Sequence, residues 1–551
     1  MKRNMNKTIA SIVITSILLA LPAIADTNND SNVEEIISIT DILRSHTEGE
    51  PASFTVQDTI WSPDGSKLLV RYTDSPSQSE QIDDLYVMNA DGTELNKIAS
   101  SKPIKSEGAC IAFPMWSPTG DKIAFHLSQS RGGLLVVVNP DGTGLNAIGT
   151  GLSDMESILS SVPDFGWWQR WLKWSPDGVK MAFEWEEKGK GTYIYVADAD
   201  GSNPVKLYPD APNRHPVWSC DSKKIAFETE KSLMSANADG TGLTYLLNTT
   251  DGAIRSWSPD DSKLVYLAST KEVDGEEQYG IFVVNADGTK RVEIMTGAYF
   301  ENTRWSPDGR KILFALEVGE EGQELYTVDA DGRNSILLSK GHITQTSRSP
   351  DGGKIAFMKD HSLYTMNPDS TGEMMLALAG RGVADSTYAW NPSGDKIVFS
   401  SVVDSKTGKE VSLDVASQDW GAYESPIFMS NPDGTERVQL MQGGYNALES
   451  WSPDGSRLLV RSRDETGYLR NTVIIKLSNV TPVFIKPTPK PLETTSAHPT
   501  RGETPEETDT PATETTAPAT DTVKTPGFTV ILSVIGLIVL ALHLSNHKRG
   551  V

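Results

Sequence analysis

The sequence predicts an all-β protein: a single β-propeller, a ring of four-stranded antiparallel blades. Three observations lead there. The phrase WSPDGSKLLV, Trp61–Val70, has eight further copies, starting at 116, 174, 218, 257, 305, 348, 390 and 451, and Trp leads all but the copy at Arg348. A second phrase, LYVMNADGT ending at Thr93, lies between neighbouring copies and recurs seven more times, down to IFMSNPDGT ending at Thr435. Successive copies of the first phrase start 55, 58, 44, 39, 48, 43, 42 and 61 residues apart, the spacing of propeller blades.

Taken in chain order, residues 1–25 combine a basic start (MKRNMNK), an apolar stretch and the small-residue pattern Ala23-Ile24-Ala25. This reads as a secretory signal peptide cleaved before Asp26, with a retained N-terminal anchor as the alternative. Residues 26–49 form an N-terminal segment, in which Val33–Leu43 is either a ring-closing strand or a short helix before the ring.

Residues 50–486 carry the repeats. In Ser-Pro-Asp-Gly, Pro presets φ, Asp bonds its own backbone and Gly accepts positive φ. The apolar run that follows, such as Lys122-Ile123-Ala124-Phe125, suits a strand packed on both faces. Asn-Ala-Asp-Gly closes a second hairpin. Two hairpins make one blade, whose faces are covered only when blades stack in a ring. Nine repeats give eight or nine blades, depending on whether a terminal unit is peripheral. Three copies depart from the pattern: Arg348 replaces Trp, Cys220 replaces Pro, and Asn391 with Ser393 alters the eighth.

Residues 487–525 hold 13 Thr and 7 Pro. Such a segment is unable to bury a core and is expected to be an extended, disordered stalk. Residues 526–551 begin Pro526-Gly527-Phe528, continue through the apolar stretch Phe528–Leu544 and end in His547-Lys548-Arg549. At about 17 residues the stretch is at the short limit for a transmembrane helix, with its basic end on the cytoplasmic side.

The pairing of WSPDGxKIAF with IYVMNADGT resembles the TolB-type, WD40-like β-propeller repeat, over roughly Glu50–Lys486. The tripeptide, helix, basic tail and Thr-rich stalk together resemble the PGF-CTERM sorting signal of archaeal surface proteins. That resemblance implies recognition of Pro526, Gly527 and Phe528 by a sorting enzyme, removal of the helix and attachment to a lipid; a plain C-terminal membrane anchor is the alternative. Both place the protein at the cell surface.

The chain has 73 acidic and 50 basic residues, a formal net charge of −23. This argues against a nucleic-acid partner. No Gly-x-Ser-x-Gly elbow occurs and no hydrolase domain follows the ring. The eight His form one HxxxH pair, His543 and His547 at the C-terminal end, and no HxH pair, and no catalytic residue, metal site or cofactor is assigned. Asn29, Asn248 and Asn479 begin glycosylation sequons. Cys110 and Cys220 sit at non-equivalent points, so pairing is not expected.

One cluster is surplus to the blades. DFGWWQRWLKWSPDG holds Trp167, Trp168 and Trp171, and Trp420 lies in a second insertion. These four are candidate ligand contacts, or else pack a loop onto the ring. The expected function is a cell-surface binding platform for envelope proteins or surface glycans, as TolB-type proteins work through protein contacts in an envelope complex. The alternative is an extracellular carbohydrate-active enzyme with its site in the channel, for which Arg214-His215 and His126 are the residues of interest.

Overall fold

Nine four-stranded antiparallel sheets account for nearly every strand, and each begins with a strand that ends in one copy of the WSPDG phrase. The ring therefore has nine blades. The computed structural model describes residues 32–478, apart from 47–53, 78–79, 103–109, 130–131, 149–168, 188, 249–251, 274–275, 320–321, 379–387, 412–422 and 464–468. Blade one is typical: Phe54–Trp61, Lys67–Ser77, Glu80–Asn89 and Asn96–Ser100, paired in that order.

Blade nine is completed from the other end of the chain. Its first three strands are Tyr445–Trp451, Arg457–Arg463 and Leu469–Leu477, and its fourth is Val33–Ser38. Ile36 pairs with Ile475 and Ser38 with Val473. Strand and helix were both open for Val33–Leu43, and the segment supplies both. Helix α1, Ile39–His46, follows the strand directly. The Asp41 N–H donates to Ser38 Oγ at 3.1 Å, an N-cap. The ring thus begins at Val33, ahead of the first motif.

Each motif residue has a defined job. Ser62 Oγ accepts from the Lys67 N–H at 2.9 Å and donates to Asp64 Oδ1 at 2.6 Å. Asp64 also accepts the Ser66 N–H at 3.0 Å, and Gly65 takes φ 70°. In the second turn, Asp91 accepts from the Thr93 N–H and hydroxyl at 3.0 and 2.6 Å. Lys67 Nζ joins the two turns through Asn89 Oδ1 at 3.0 Å. Both turns therefore lie on one face of the ring. The strand ends that flank 149–168 and 412–422 lie on the opposite face, because each insertion follows a second or fourth strand.

The motif Trp links blades. Its indole N–H donates to the carbonyl just before the preceding motif Trp: Trp116 to Ile60 at 3.2 Å, Trp218 to Lys173 at 3.0 Å, Trp257 to Val217 at 2.9 Å and Trp451 to Ala389 at 3.2 Å. The core is built the same way, from apolar side chains shared between neighbouring blades, as where Val265 and Val283 of blade five meet Phe300 and Phe314 of blade six.

The departures from the motif are compensated. Arg348 reaches back to Thr327 Oγ1 at 3.0 Å. Asn391 Oδ1 accepts the Lys396 N–H at 3.0 Å, the role played elsewhere by Ser. Most turn glycines pack against the Pro of the preceding turn, as Gly65 on Pro453 and Gly309 on Pro259. Blade five has Asp261 at this glycine position, with φ 58°. Its carboxylate accepts the N–H groups of Cys220 and Asp221 at 2.6 and 2.8 Å. Pro has no N–H, so Cys220 and Asp261 work as a pair. Cys220→Pro alone is expected to cost about 1.5–3 kcal/mol, the value of a bond to a charged acceptor. Cys220→Pro with Asp261→Gly should recover much of it, as read from urea midpoints in a double-mutant cycle.

Cys110 and Cys220 are free thiols. Among the described residues no helix is long and apolar enough to cross a membrane; Phe528–Leu544 lies outside them.

Candidate functional site: the inner strands

The first strands of neighbouring blades lie against one another, which places them around the centre of the ring. Nearly all carry a β-bulge. A bulge inserts an unpaired residue and re-aims its side chain. Phe113, His215, Asn302 and Gln345 sit at these bulges with φ of 51°, 57°, 54° and 47°. Left-handed backbone costs an L-residue about 1–2 kcal/mol, so the rest of the blade must hold it in place. Phe113 is 77 % exposed, and Arg214, His215, Arg255 and Gln345 are exposed too.

A set of ionisable side chains supports the bulges. They occupy one register position on the second strands: Arg71, His126, Glu184, Glu228 and Arg461. Four of them bond the backbone of the next blade's first strand. Arg461 Nη2 donates to the Gln57 carbonyl at 2.6 Å and Arg71 Nη1 to the Ile111 carbonyl at 2.8 Å. Glu184 accepts from the His215 N–H at 2.6 Å and Glu228 from the Ile254 N–H at 3.1 Å. Blades five to seven have Leu267, Ala315 and Met358 at this position. The charged half of the ring thus runs from blade nine to blade four.

At blades three to five these groups converge. His215 Nδ1 lies 2.7 Å from Glu228 Oε2. The Glu228 contact outweighs burial and raises the His215 pKa. Burial raises that of Glu184, which is 5 % exposed, although the His215 N–H opposes it. Arg214 precedes His215 on the same strand, and Arg255 stands on the first strand of blade five. An imidazole held by a carboxylate, with the exposed Arg214 next to it in the chain, is equipped to bind an anionic group and to hold or pass a proton.

The residues singled out from sequence are placed unevenly. Trp171 belongs to the first strand of blade three, Gln169–Trp174. Asn248 ends the fourth strand of blade four and is exposed. Trp167, Trp168, Trp420, Asn29, Asn479, Ala23, Ala25, Pro526, Gly527 and Phe528 lie outside the described residues. His126 is buried in blade two, apart from His215 in blade four. No group of three or more His, Cys, Asp or Glu suited to a metal occurs among the described residues. Sequence reasoning missed Glu184, Glu228, Arg255 and Phe113. A signal existed for the first two: KMAFE and KIAFE each place an ionisable residue directly after the apolar run, as do KLLVR and RLLVR.

No protein-family model matches the chain, and no curated protein matches it. Solved structures do resemble it. An oligogalacturonate lyase in complex with manganese is 13 % identical, with TM-score 0.36, over 56 % of this chain and 88 % of that one. TolB from Acinetobacter baumannii is 17 % identical, with TM-score 0.27, over 60 % and 78 %. A eukaryotic initiation factor is 11 % identical, with TM-score 0.44, over 73 % and 97 %. The likeness is one of fold. It extends to proteins of unrelated activities, as propellers commonly do.

Proposed function

We propose that this chain is a cell-surface binding protein, a β-propeller that presents its inner strands and loop face to envelope proteins or surface glycans. The observation that supports it is the set of large side chains exposed at or beside inner-strand bulges, Phe113, Arg214, His215 and Arg255 among them, with Phe113 and His215 held in left-handed backbone. A ring serving only as a spacer has no need of them. The export signal, the stalk and the C-terminal apolar segment read from sequence support the surface location.

The test is a pull-down from solubilised envelope with the full-length protein as bait. One variant carries Arg214→Ala and Arg255→Ala, another Trp167→Ala, Trp168→Ala and Trp171→Ala. A partner retained by the native chain should fall about tenfold or more with at least one variant, the loss expected from removing an interface hot spot. Equal retention by all three refutes the reading.

A second reading, an extracellular enzyme acting on acidic polysaccharides, is favoured by the Glu184–His215–Glu228 grouping. Cleavage of alginate or hyaluronate that is lost in His215→Asn supports it; no cleavage by the native chain removes it.

A further inference from the structure

We infer that the first strands of blades three to six form a binding surface for an acidic polysaccharide, a chain that carries carboxylates along its length. The inference rests on the reading above in one respect, a surface glycan as partner. Lys173, Arg214, Arg255 and Arg304 stand on the first strands of these four consecutive blades, and all four are exposed. Among the described residues no acidic side chain forms an ion pair with any of them. No other first strand carries an exposed Lys or Arg among the described residues. In a chain with a net charge of −23, four neighbouring cations without partners make a local field of the opposite sign.

The four strands are held in step. The Trp218 indole N–H donates to the Lys173 carbonyl at 3.0 Å, that of Trp257 to Val217 at 2.9 Å and that of Trp305 to Ser256 at 3.4 Å. Lys173 and Arg304 each precede a motif Trp by one residue, Arg255 by two and Arg214 by four. Along a strand that spread is about 10 Å, so the cations form a band across the four blades. The acids of the same blades are recessed or engaged. Glu184 is 5 % exposed and accepts the His215 N–H at 2.6 Å. Glu228 is held by His215 Nδ1 at 2.7 Å and by the Ile254 N–H at 3.1 Å. Glu301 is half-buried and accepts from Gln323 Nε2 at 3.3 Å.

A band of separate cations suits a ligand with repeated charges better than a single small anion. Guanidinium groups pair with carboxylates through two parallel hydrogen bonds. Phe113 favours a sugar over an acidic peptide. It is 77 % exposed on the first strand of blade two. It stands three residues before its motif Trp, the place that His215 holds in blade four. The C–H face of a sugar ring packs on such an aromatic face, while the carboxylates of the same chain meet the cations.

The experiment is isothermal titration calorimetry on the full-length protein in detergent, with alginate, hyaluronate, neutral dextran and poly-glutamate as probes. Alginate or hyaluronate should bind, dextran should not, and binding should weaken as salt is raised. Lys173→Gln, Arg214→Gln, Arg255→Gln and Arg304→Gln should each weaken it by about two- to fivefold, the worth of one exposed ion pair. Phe113→Ala should weaken it by about two- to tenfold, the worth of one ring contact. The control is Arg333→Gln, an exposed cation on the turn between the third and fourth strands of blade six, and binding should be unchanged. All of these side chains are exposed, so the variants should keep the fold, with far-UV circular dichroism as the check. No binding of either acidic polysaccharide overturns the inference, as does binding indifferent to all four cation variants. Poly-glutamate bound as tightly as the polysaccharides, with no effect of Phe113→Ala, makes the occupant an acidic peptide and overturns it too. A partner still retained in the pull-down would then leave the proposed function standing without this site.

Discussion

A chain from which residues 33–46 are deleted is expected to lose at least about 3–6 kcal/mol of stability. The deletion removes the strand that completes blade nine and the helix that follows it. Ile39 and Leu43 are 0 % and 1 % exposed, packed with Val56, Leu459 and Ile474. Burying each is worth about 1.5–3 kcal/mol, before the strand's own pairing is counted. The deletion also leaves Leu469–Leu477 as an open edge, which invites pairing with another chain. Urea unfolding followed by Trp fluorescence should show the lower midpoint, and size-exclusion chromatography the association. Leu43→Ala tests the helix alone, with an expected loss of about 2–5 kcal/mol. An unchanged midpoint after the deletion would mean that the ring does not depend on this closure.

Acid should unfold the ring steeply. Aspartates in both turns have pKa values below 3.8, including Asp64, Asp91, Asp121, Asp239, Asp308 and Asp433. Asp260 is held down to about 2, chiefly by the Ser258 hydroxyl. Burial opposes the shift, most at Asp64 and Asp121, and is outweighed by hydrogen bonds from Ser or Thr hydroxyls and backbone N–H groups to the charged carboxylate. The sign follows from linkage: a lowered folded pKa stabilises above the unfolded value and is lost as pH falls through the folded one. The urea midpoint should therefore be steady down to about pH 4 and collapse between about pH 4 and 2. Glu184 and Glu449, whose pKa values burial raises, act the other way and blunt only the upper part of the fall. A midpoint that stays level to about pH 2.5 would contradict the role given to the turn carboxylates.

Much of the architecture was legible because the informative interactions are local. Ser, Asp, Gly and Lys of the first phrase bond one another within six residues, and the Asp–Thr contact of the second spans two. Such groups recur wherever the turn recurs, so they show in the sequence as a phrase. The ring closure was only half legible. VEEIISITDIL has strand and helix character together, and pairing with Leu469–Leu477, more than 430 residues away, decides where one ends and the other begins. What the departures at Cys220 and Arg348 do was not legible in sequence. Cys220 serves Asp261 in the next blade, and Arg348 serves Thr327 in the previous one.

The candidate sites were much less legible. Glu184 and Glu228 gave a weak signal, an ionisable residue where an apolar strand should continue. Arg255 and Phe113 gave none, since a bulge depends on the register between two strands. By itself the sequence determined the all-β class, the repeat and the turn that starts each hairpin, since short-range hydrogen bonding and dihedral preference suffice for these. The tertiary structure alone decided that the blades number nine, that the first strand belongs to the last blade, and which first-strand residues stand at bulges. Those depend on contacts between residues far apart in the chain, and no local pattern encodes them.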